Sequence, residues 1–255
     1  MYKILSIMLC CVSIIGKIQP CSATPPPTST WNPVNTYQTP IHSKLYLEPP
    51  LISEYGRTCY MNALMQQLYN IDDFRKAILA FHSDYDDSET HDITAMKLLF
   101  YMFSAYCVSV APVETKKIYE SFSFYNKCES DPLEILLRHI SKIFVKLKFP
   151  EIMVSDIESI GALESDGMII VVIPEKHGEI KKEIVLKNGK VKYLKGLILT
   201  EPKYKVLPHH MYSYINIMDD DSKSYWFLTD GQTVEDIGYT MPDTQDSYLA
   251  FYWNK

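Results

Sequence analysis

The sequence predicts an α+β fold in which helices come first and strands follow. Apolar residues recur at helical spacing from Thr58 to about Pro150, and short apolar runs separated by tight turns continue to the end of the chain. The 255 residues, 47% of them hydrophobic, suffice for one large domain or two small ones. Because helices and strands are segregated along the chain, we expect two lobes, with a cleft between them as a natural place for a site.

Residues 1–23 are predicted to form a secretory signal peptide. Lys3 supplies the positive start, an apolar core runs from Ile4 to Gly16, and small residues precede a plausible cleavage point after Ala23. The core is too short to span a bilayer, so we expect no stable membrane anchor; a buried helix is the alternative. The leader predicts entry into the secretory pathway, and a cytoplasmic location is the alternative.

The leader is followed by a segment of biased composition. Residues 24–50 are rich in Pro, Thr and Ser, which predicts an extended or disordered lead-in. The folded domain is then expected to cover 51–255, with helices over about 51–149 and strands over about 150–255.

Charge and cysteine content narrow the function classes. Cleavage after Ala23 removes Lys3, Lys17 and no acidic residue, so the net charge moves from -6 to -8, which disfavours nucleic acid as a partner and suits a basic one. Cleavage also leaves three cysteines with no CxxC pair, which argues against a disulfide scaffold or a cysteine-based zinc site. No metal or cofactor is predicted, and one disulfide, Cys107–Cys128, stays open as a possibility.

The first helix is predicted to begin after Thr58, a suitable N-cap, which places Cys59 in its first turn. Further helices are predicted over 72–82 and 92–108. Another starts at Asp131, where Pro132 fits the first helical position and Glu134 completes a capping box. The apolar face of the first helix comprises Tyr60, Met61, Leu64, Met65 and Leu68.

Strands are predicted in the second half of the chain. "GMIIVVIP" is a continuous apolar run, and "KEIVLKNGKVKYLKGLIL" predicts a hairpin about Asn188-Gly189, a strong two-residue turn signal. "MYSYINIM", "SYWFL" and "SYLAFYW" predict three more strands with tight connections.

Cys59 is a candidate nucleophile. Only the thiolate is a good nucleophile, and a helix N-terminus favours it because unpaired N–H groups and the helix dipole attract negative charge. A small buried residue is the alternative, since free cysteine is among the most buried residue types.

A thiol nucleophile needs a base, and the base needs a group that orients it. His209 and His210 lie at the start of one predicted strand, and Asp230 lies at the end of the next. Antiparallel pairing of these strands brings Asp230 beside the histidine pair, where its carboxylate can fix the imidazole tautomer. Ordinary surface or core histidines are the alternative.

The stretch "GRTCYMNALMQQL" matches the pattern G-x-T-C-[YF]-M-N-[SA]-x-[LM]-Q. It resembles the cysteine box of the ubiquitin-specific proteases, a papain-like deubiquitinase family. "ESDPLEILL" resembles the start of a family helix, and "KYLKGLIL", "HHMYSYI", "WFLTDGQTV" and "SYLAFYWNK" resemble later family boxes in the same order. The resemblance covers about Ile52 to Lys255 and assigns the histidine role to His210 and the third role to Asp230.

The resemblance implies a papain-like fold with a helical thumb, a β-rich palm and reduced or absent fingers. It implies that Cys59 attacks the carbonyl of the C-terminal glycine of ubiquitin, that His210 serves as general base and acid, and that Asp230 orients His210. Ubiquitin or ubiquitin-conjugated proteins are the implied partners, and a monomer is expected. Because ubiquitin is mainly cytosolic and nuclear, a secreted deubiquitinase makes sense if it acts inside another cell.

The chain departs from the family pattern at five positions. Glu54 stands where the family has an asparagine that donates a hydrogen bond to the oxyanion, and an ionised carboxylate cannot donate. Either Glu54 is protonated, other donors such as the Cys59 N–H take over, or the enzyme is weak or inactive. The other departures, two in the histidine box and two in the last box, are His209, Met211, Thr229 and Gly231.

Three functions therefore stay open at this point. The first is a thiol-dependent deubiquitinase, and the second is a ubiquitin-binding pseudoenzyme, motivated by Glu54 and the altered histidine box. The third is a secreted papain-like protease that cleaves ordinary peptides.

Overall fold

The computed structural model describes residues 49–53, 58–80, 91–109, 111–122, 131–174, 177–200, 210–218 and 223–254. All of them belong to one compact unit, Pro33–Lys255. The predicted leader, most of the 24–50 lead-in and Glu54, Cys128 and His209 lie outside these ranges. Within the described ranges, no helix combines the length and apolar character needed to cross a bilayer.

The helices predicted from periodicity are confirmed, with ends that shift by up to three residues. A short helix at 116–121, where the sequence shows little periodicity, was not predicted. The helices of the first half of the chain are α1 Cys59–Asn70, α2 Asp72–Leu79, α3 His91–Val108 and α4 Lys116–Ser121.

The helix predicted from Asp131 begins as expected. The Asp131 carboxylate accepts a hydrogen bond from the Leu133 N–H at 2.8 Å, and Pro132 occupies the first helical position. The Glu134 carboxylate, which was predicted to complete a capping box, forms an ion pair with Arg138 at 3.2 Å. The helix consists of α5 Pro132–Ile135, a π-helical turn Leu136–Ile140 and α6 Ser141–Lys146.

The second half of the chain forms a mixed sheet. Its strands are hydrogen-bonded in the order β1-β2-β8-β4-β5-β6-β7, and β3 pairs with β4. Among the strand pairs that the structure describes, β1 and β2 are parallel and the others are antiparallel, and β1 and β7 were not predicted. The strands are β1 Ile152–Asp156, β2 Met168–Val172, β3 Glu183–Val185, β4 Val191–Thr200, β5 Met211–Met218, β6 Ser224–Asp230, β7 Thr233–Gly238 and β8 Ser247–Trp253.

The Asn188-Gly189 turn is confirmed. Val185 pairs with Val191 across the β3–β4 hairpin, and the Leu186 N–H donates to the Lys190 carbonyl at 2.8 Å. Gly189 has a φ of 79°, a left-handed conformation that glycine adopts without steric cost.

Helix α1 lies between the helices and the sheet, which explains its burial. Ten consecutive residues, Tyr60–Tyr69, are buried, although the predicted apolar face covers only half of them. Alternation along the strands also sends side chains to both sheet faces. Ile170 and Phe251 join the core on the helical side, while Val171 and Tyr252 join a second core on the opposite face.

The folded part begins before residue 51. Pro49 and Pro50 are buried, and the Pro50 carbonyl accepts a hydrogen bond from Gln66 Nε2 at 2.5 Å. The last two residues of the predicted 24–50 lead-in are therefore part of the packed structure, because an amide of α1 holds them. Ile52 continues the segment, and its N–H donates to the Gly231 carbonyl at 3.2 Å.

Candidate active site

Cys59 is the first residue of α1, and its side chain is half-buried. Thr58 occupies the N-cap position as predicted, and its carbonyl accepts the first helical hydrogen bond from the Asn62 N–H at 2.9 Å. The Thr58 hydroxyl makes no capping hydrogen bond, and the first turn contains no acidic residue. The positive end of the helix dipole therefore lies beside the thiol with no carboxylate from its own first turn to offset it.

His210 and Asp230 are brought together by strand pairing, as the sequence predicts. His210 directly precedes β5, Asp230 ends β6, and the two strands pair antiparallel with Ser213 opposite Thr229. The Nε2 atom of His210 lies 2.8 Å from Oδ1 of Asp230. Both side chains keep contact with solvent, being 22% and 42% exposed.

The imidazole also contacts Cys59. The hydrogen bond to Asp230, followed by a hydrogen bond with the Cys59 side chain, raises the pKa of His210 to about 10, against the opposing effect of burial. The three candidate residues therefore form a continuous series, thiol to imidazole to carboxylate. At neutral pH the imidazole of His210 is therefore protonated on both nitrogens and positively charged. The carboxylate of Asp230 accepts a hydrogen bond from it.

The turn after Asp230 explains one departure from the family pattern. Gly231 has a φ of 54°, and Asp230 pairs with Thr233 across the two-residue turn that contains it. The Thr233 hydroxyl donates to the Asp230 carbonyl at 3.0 Å. Glycine suits this left-handed position, and its carbonyl binds the Ile52 N–H of the segment that leads toward Cys59.

Two further departures are accommodated by packing. Thr229 is buried, and its hydroxyl donates to the Ser213 carbonyl at 3.4 Å, which links β5 and β6 near His210 and Asp230. Met211, the residue after His210, packs partly buried against the helical core. Glu54 and His209 lie outside the described residues, so the oxyanion position remains a prediction.

Cys107 is a second free thiol at some distance along the chain. Its sulfur lies 3.4 Å from the Tyr69 hydroxyl, within the helical part. Cys128, with which Cys107 could form the disulfide that the sequence leaves open, lies outside the described residues. Within the described ranges, no three His, Cys, Asp or Glu side chains cluster as metal ligands would.

Sequence analysis did not find the polar side chains that join α1 to the strands. Gln67 and Asn70 donate hydrogen bonds to carbonyls of β4 and β5, and Ser213 donates to the Ala63 carbonyl. The only signal in the sequence is the presence of amide side chains in a helix that is otherwise largely apolar, and it does not reveal their partners.

Comparison with known proteins adds a family assignment. A family model described as ubiquitin carboxyl-terminal hydrolase matches residues 52–185, just over half of the chain. The match includes Cys59 and ends before His210 and Asp230. Two Arabidopsis thaliana proteins, named Ubiquitin C-terminal hydrolase 12 and Ubiquitin C-terminal hydrolase 13, are each 39% identical over 74 residues, which are 29% of this chain and 6% of theirs. The matched segment is thus a small part of those relatives.

Proposed function

The chain belongs to the ubiquitin carboxyl-terminal hydrolase family, and on that premise we propose that it is a thiol-dependent deubiquitinase. The observation that carries the proposal is the hydrogen-bonded series from Cys59 through His210 to Asp230. A thiol, an imidazole and a carboxylate in this order are the groups that nucleophilic cysteine catalysis requires.

In the proposed mechanism, the Cys59 sulfur attacks the carbonyl carbon of the C-terminal glycine of ubiquitin. Because Nε2 of His210 faces Asp230, Nδ1 is the nitrogen that faces the sulfur and holds the proton of the thiol. That proton passes to the leaving lysine amine as the C–N bond breaks, which leaves a thioester on Cys59. Water then attacks the thioester while His210 takes up its proton, and the thiolate leaves as the carboxylate of ubiquitin is released.

Asp230 has an orienting and electrostatic role in this scheme. Its carboxylate holds the imidazole plane through the 2.8 Å hydrogen bond, and the same bond raises the pKa of His210 to about 10. A protonated imidazole beside Cys59 stabilises the negative charge that develops on the sulfur during attack. His210 is expected to keep this proton until the pH approaches 10.

We extend the proposal to architecture, partner and location. The helices would form the thumb and the sheet the palm of a papain-like domain with reduced or absent fingers, with ubiquitin or its conjugates as partners and a monomer as the active form. The domain would cover about 51–255, preceded by Pro49 and Pro50.

Residues 1–23 would direct secretion, and the protein would act inside a host cell. N-terminal sequencing of the mature chain tests this proposal, and an intact Met1 would contradict it.

A catalytically weak or inactive ubiquitin-binding protein is the second candidate. It is favoured by one observation, the acidic Glu54 at the expected oxyanion position. Loss of one oxyanion donor costs about 10²–10³ in rate. Ubiquitin binding without turnover, together with turnover in Glu54→Asn, would support this candidate.

The deciding experiment uses ubiquitin with an electrophile in place of its C-terminal carboxylate. We expect one covalent adduct on the wild-type protein, none on Cys59→Ser, and an unchanged adduct on the matched variant Cys107→Ser. Intact mass spectrometry measures the adduct, and circular dichroism checks that each variant is folded. Folded wild-type protein that forms no adduct would count against the deubiquitinase.

A further inference from the structure

A buried amide of α1 reaches into the sheet at the strand that follows the imidazole. Gln67 is 1% exposed, and its Nε2 donates to the Leu197 carbonyl of β4 at 3.0 Å and to the Tyr214 carbonyl of β5 at 3.1 Å. One side chain therefore bridges the helix that starts with Cys59 and two adjacent strands.

Two further side chains, those of Asn70 and Ser213, also join α1 to the strands. Asn70 Nδ2 donates to the Lys195 carbonyl of β4 and the Asn216 carbonyl of β5, both at 3.2 Å. The Ser213 hydroxyl of β5 donates to the Ala63 carbonyl at 3.1 Å. Positions 63, 67 and 70 lie on one face of a helix, so the three contacts join a single face of α1 to β4 and β5.

The sheet is shaped to accept the Gln67 amide. A Cβ atom at Gly196 would lie 2.6 Å from the Tyr214 carbonyl oxygen and closer still to Gln67 Oε1, so no larger residue fits there without displacement. The β4–β8 register also shifts between Leu194 and Gly196. Glycine and a register shift at the same point indicate that the backbone makes room for the amide.

These contacts connect the two halves of the active site. Gln67 lies two turns after Cys59 on α1, and Tyr214 lies four residues after His210. We propose that Gln67 is a positioning residue that fixes the separation between the Cys59 sulfur and the His210 imidazole by holding α1 against β5. The inference rests on the proposed function, since it assigns a role within that site.

A purely structural role makes a different prediction. Loss of the Gln67 amide would then lower stability and leave the reactivity of Cys59 unchanged in the protein that remains folded. A positioning role predicts that the folded variant loses the low-pH reactivity of a thiolate–imidazolium pair and reacts like an ordinary thiol, with a pKa of about 8.5.

The test measures the rate at which iodoacetamide alkylates Cys59 between pH 5 and pH 10. The peptide from Thr58 to Arg75 contains Cys59 as its only cysteine, so mass spectrometry of a tryptic digest reports on this thiol alone. Gln67→Met keeps the length of the side chain but removes the amide that donates the hydrogen bonds. For this variant we expect at least a tenfold lower alkylation rate near pH 6.5 and a rate that rises only near pH 8.5. Thermal melts define a temperature at which every variant is folded.

Tyr119→Phe is the matched control. It removes a buried hydrogen bond, from the Tyr119 hydroxyl to Asn62 Oδ1 at 2.9 Å, that also holds α1 but comes from α4 rather than from the strands. We expect this variant to keep the wild-type alkylation profile. Asn70→Ala, at the more exposed end of α1, is expected to shift the profile in the same direction as Gln67→Met but by less.

The outcomes separate the inference from the function on which it rests. Wild-type reactivity at pH 6.5 that survives in folded Gln67→Met overturns the positioning role and leaves the proposed function intact. If Gln67→Met does not fold, Asn70→Ala decides by the same criterion. An ordinary thiol profile in the wild-type protein also overturns the positioning role, because no ion pair with His210 would then exist to be positioned. The adduct with electrophilic ubiquitin decides the proposed function separately.

Discussion

Two helix starts in this protein use carboxylates in different ways. At α5, the Asp131 carboxylate binds the Leu133 N–H directly at 2.8 Å, and Glu134 adds a second acidic residue to the first turn. At α1, the first turn contains no acidic residue, and the Asp230 carboxylate is hydrogen-bonded to His210, which is in turn hydrogen-bonded to Cys59.

The difference separates a helix start that carboxylates stabilise, at α5, from one that favours a nucleophilic thiol, at α1. A carboxylate at a helix N-terminus satisfies N–H groups and offsets the dipole, which stabilises the helix. The same carboxylate beside a thiol would repel the thiolate. At α1 the carboxylate of Asp230 is instead hydrogen-bonded to the imidazole of His210. The raised pKa of this imidazole makes it a positive group in contact with the sulfur of Cys59.

The largest effect is expected from Asp230→Asn, which removes the charge behind the imidazole. The pKa of His210 should fall toward its ordinary value of 6.5, and the proposed ubiquitin hydrolysis should drop by about 10²–10⁴-fold, the usual contribution of a positioned acid–base group. The alkaline limb of kcat/KM, expected near pH 10 in the wild-type protein, should move to lower pH. A pH–rate profile measures both changes.

The same substitution has a signature in stability. His210 has a raised pKa in the folded protein, so its contribution is fully present below pH 6.5 and is lost as the pH rises to about 10. We expect a loss of about 1 kcal/mol over that range, because both side chains keep contact with water. Asp230→Asn should remove this dependence. Asp236→Asn on β7, whose carboxylate binds the Tyr225 hydroxyl at 2.6 Å, is the control and should retain it.

A smaller effect is expected when a carboxylate is placed in the first turn of α1. Asn62→Asp changes shape very little and adds a carboxyl group one turn from Cys59; the hydrogen bond from the Tyr119 hydroxyl favours its charged form, and burial of the side chain opposes it. In its charged form the carboxylate repels the thiolate by about 1.4 kcal/mol at an effective dielectric near 20, which lowers the thiolate population tenfold. We therefore expect iodoacetamide to alkylate Cys59 about tenfold more slowly at pH 7.

Tyr119→Phe separates charge from hydrogen bonding in this experiment. It removes the hydrogen bond that Asn62 accepts and adds no charge, so the alkylation rate should stay at the wild-type value. An unchanged rate in Asn62→Asp would mean that the start of α1 tolerates a carboxylate as α5 does, and the comparison would fail.

Local sequence signals predicted the elements that hold the site. Helical spacing located α1, the Asn188-Gly189 pair located a hairpin, and antiparallel pairing predicted that Asp230 would lie beside His210. Each of these inferences depends on residues that are close in sequence or on adjacent strands. Such contacts leave periodic or turn-specific patterns in the chain.

Features that depend on distant contacts were not predictable. Strand β1 pairs in parallel with β2 and shows no clear alternation, since three of its five residues are only half-buried. The Gln67 amide is 130 residues from the Leu197 carbonyl that it binds. Lys192 is fully buried because the carbonyls of Asp166 and Gly167 and the Asn254 side chain accept hydrogen bonds from its ammonium group. Nothing near these side chains in sequence indicates such partners.

The smallest effect is expected at the other helix start. Asp131→Ala removes the cap of α5 and the acceptor of the Tyr248 hydroxyl at 2.6 Å, and urea unfolding should show a loss of about 1–2 kcal/mol. Burial raises the pKa of Asp131, and the hydrogen bonds from the Tyr248 hydroxyl and the Leu133 N–H oppose that rise. Asp131→Asn keeps one oxygen that accepts from the Leu133 N–H, and its amide nitrogen can donate to the Tyr248 hydroxyl, so this variant should cost less than Asp131→Ala. Neither substitution should change the alkylation rate of Cys59, and a change in that rate would show that the two helix starts are coupled.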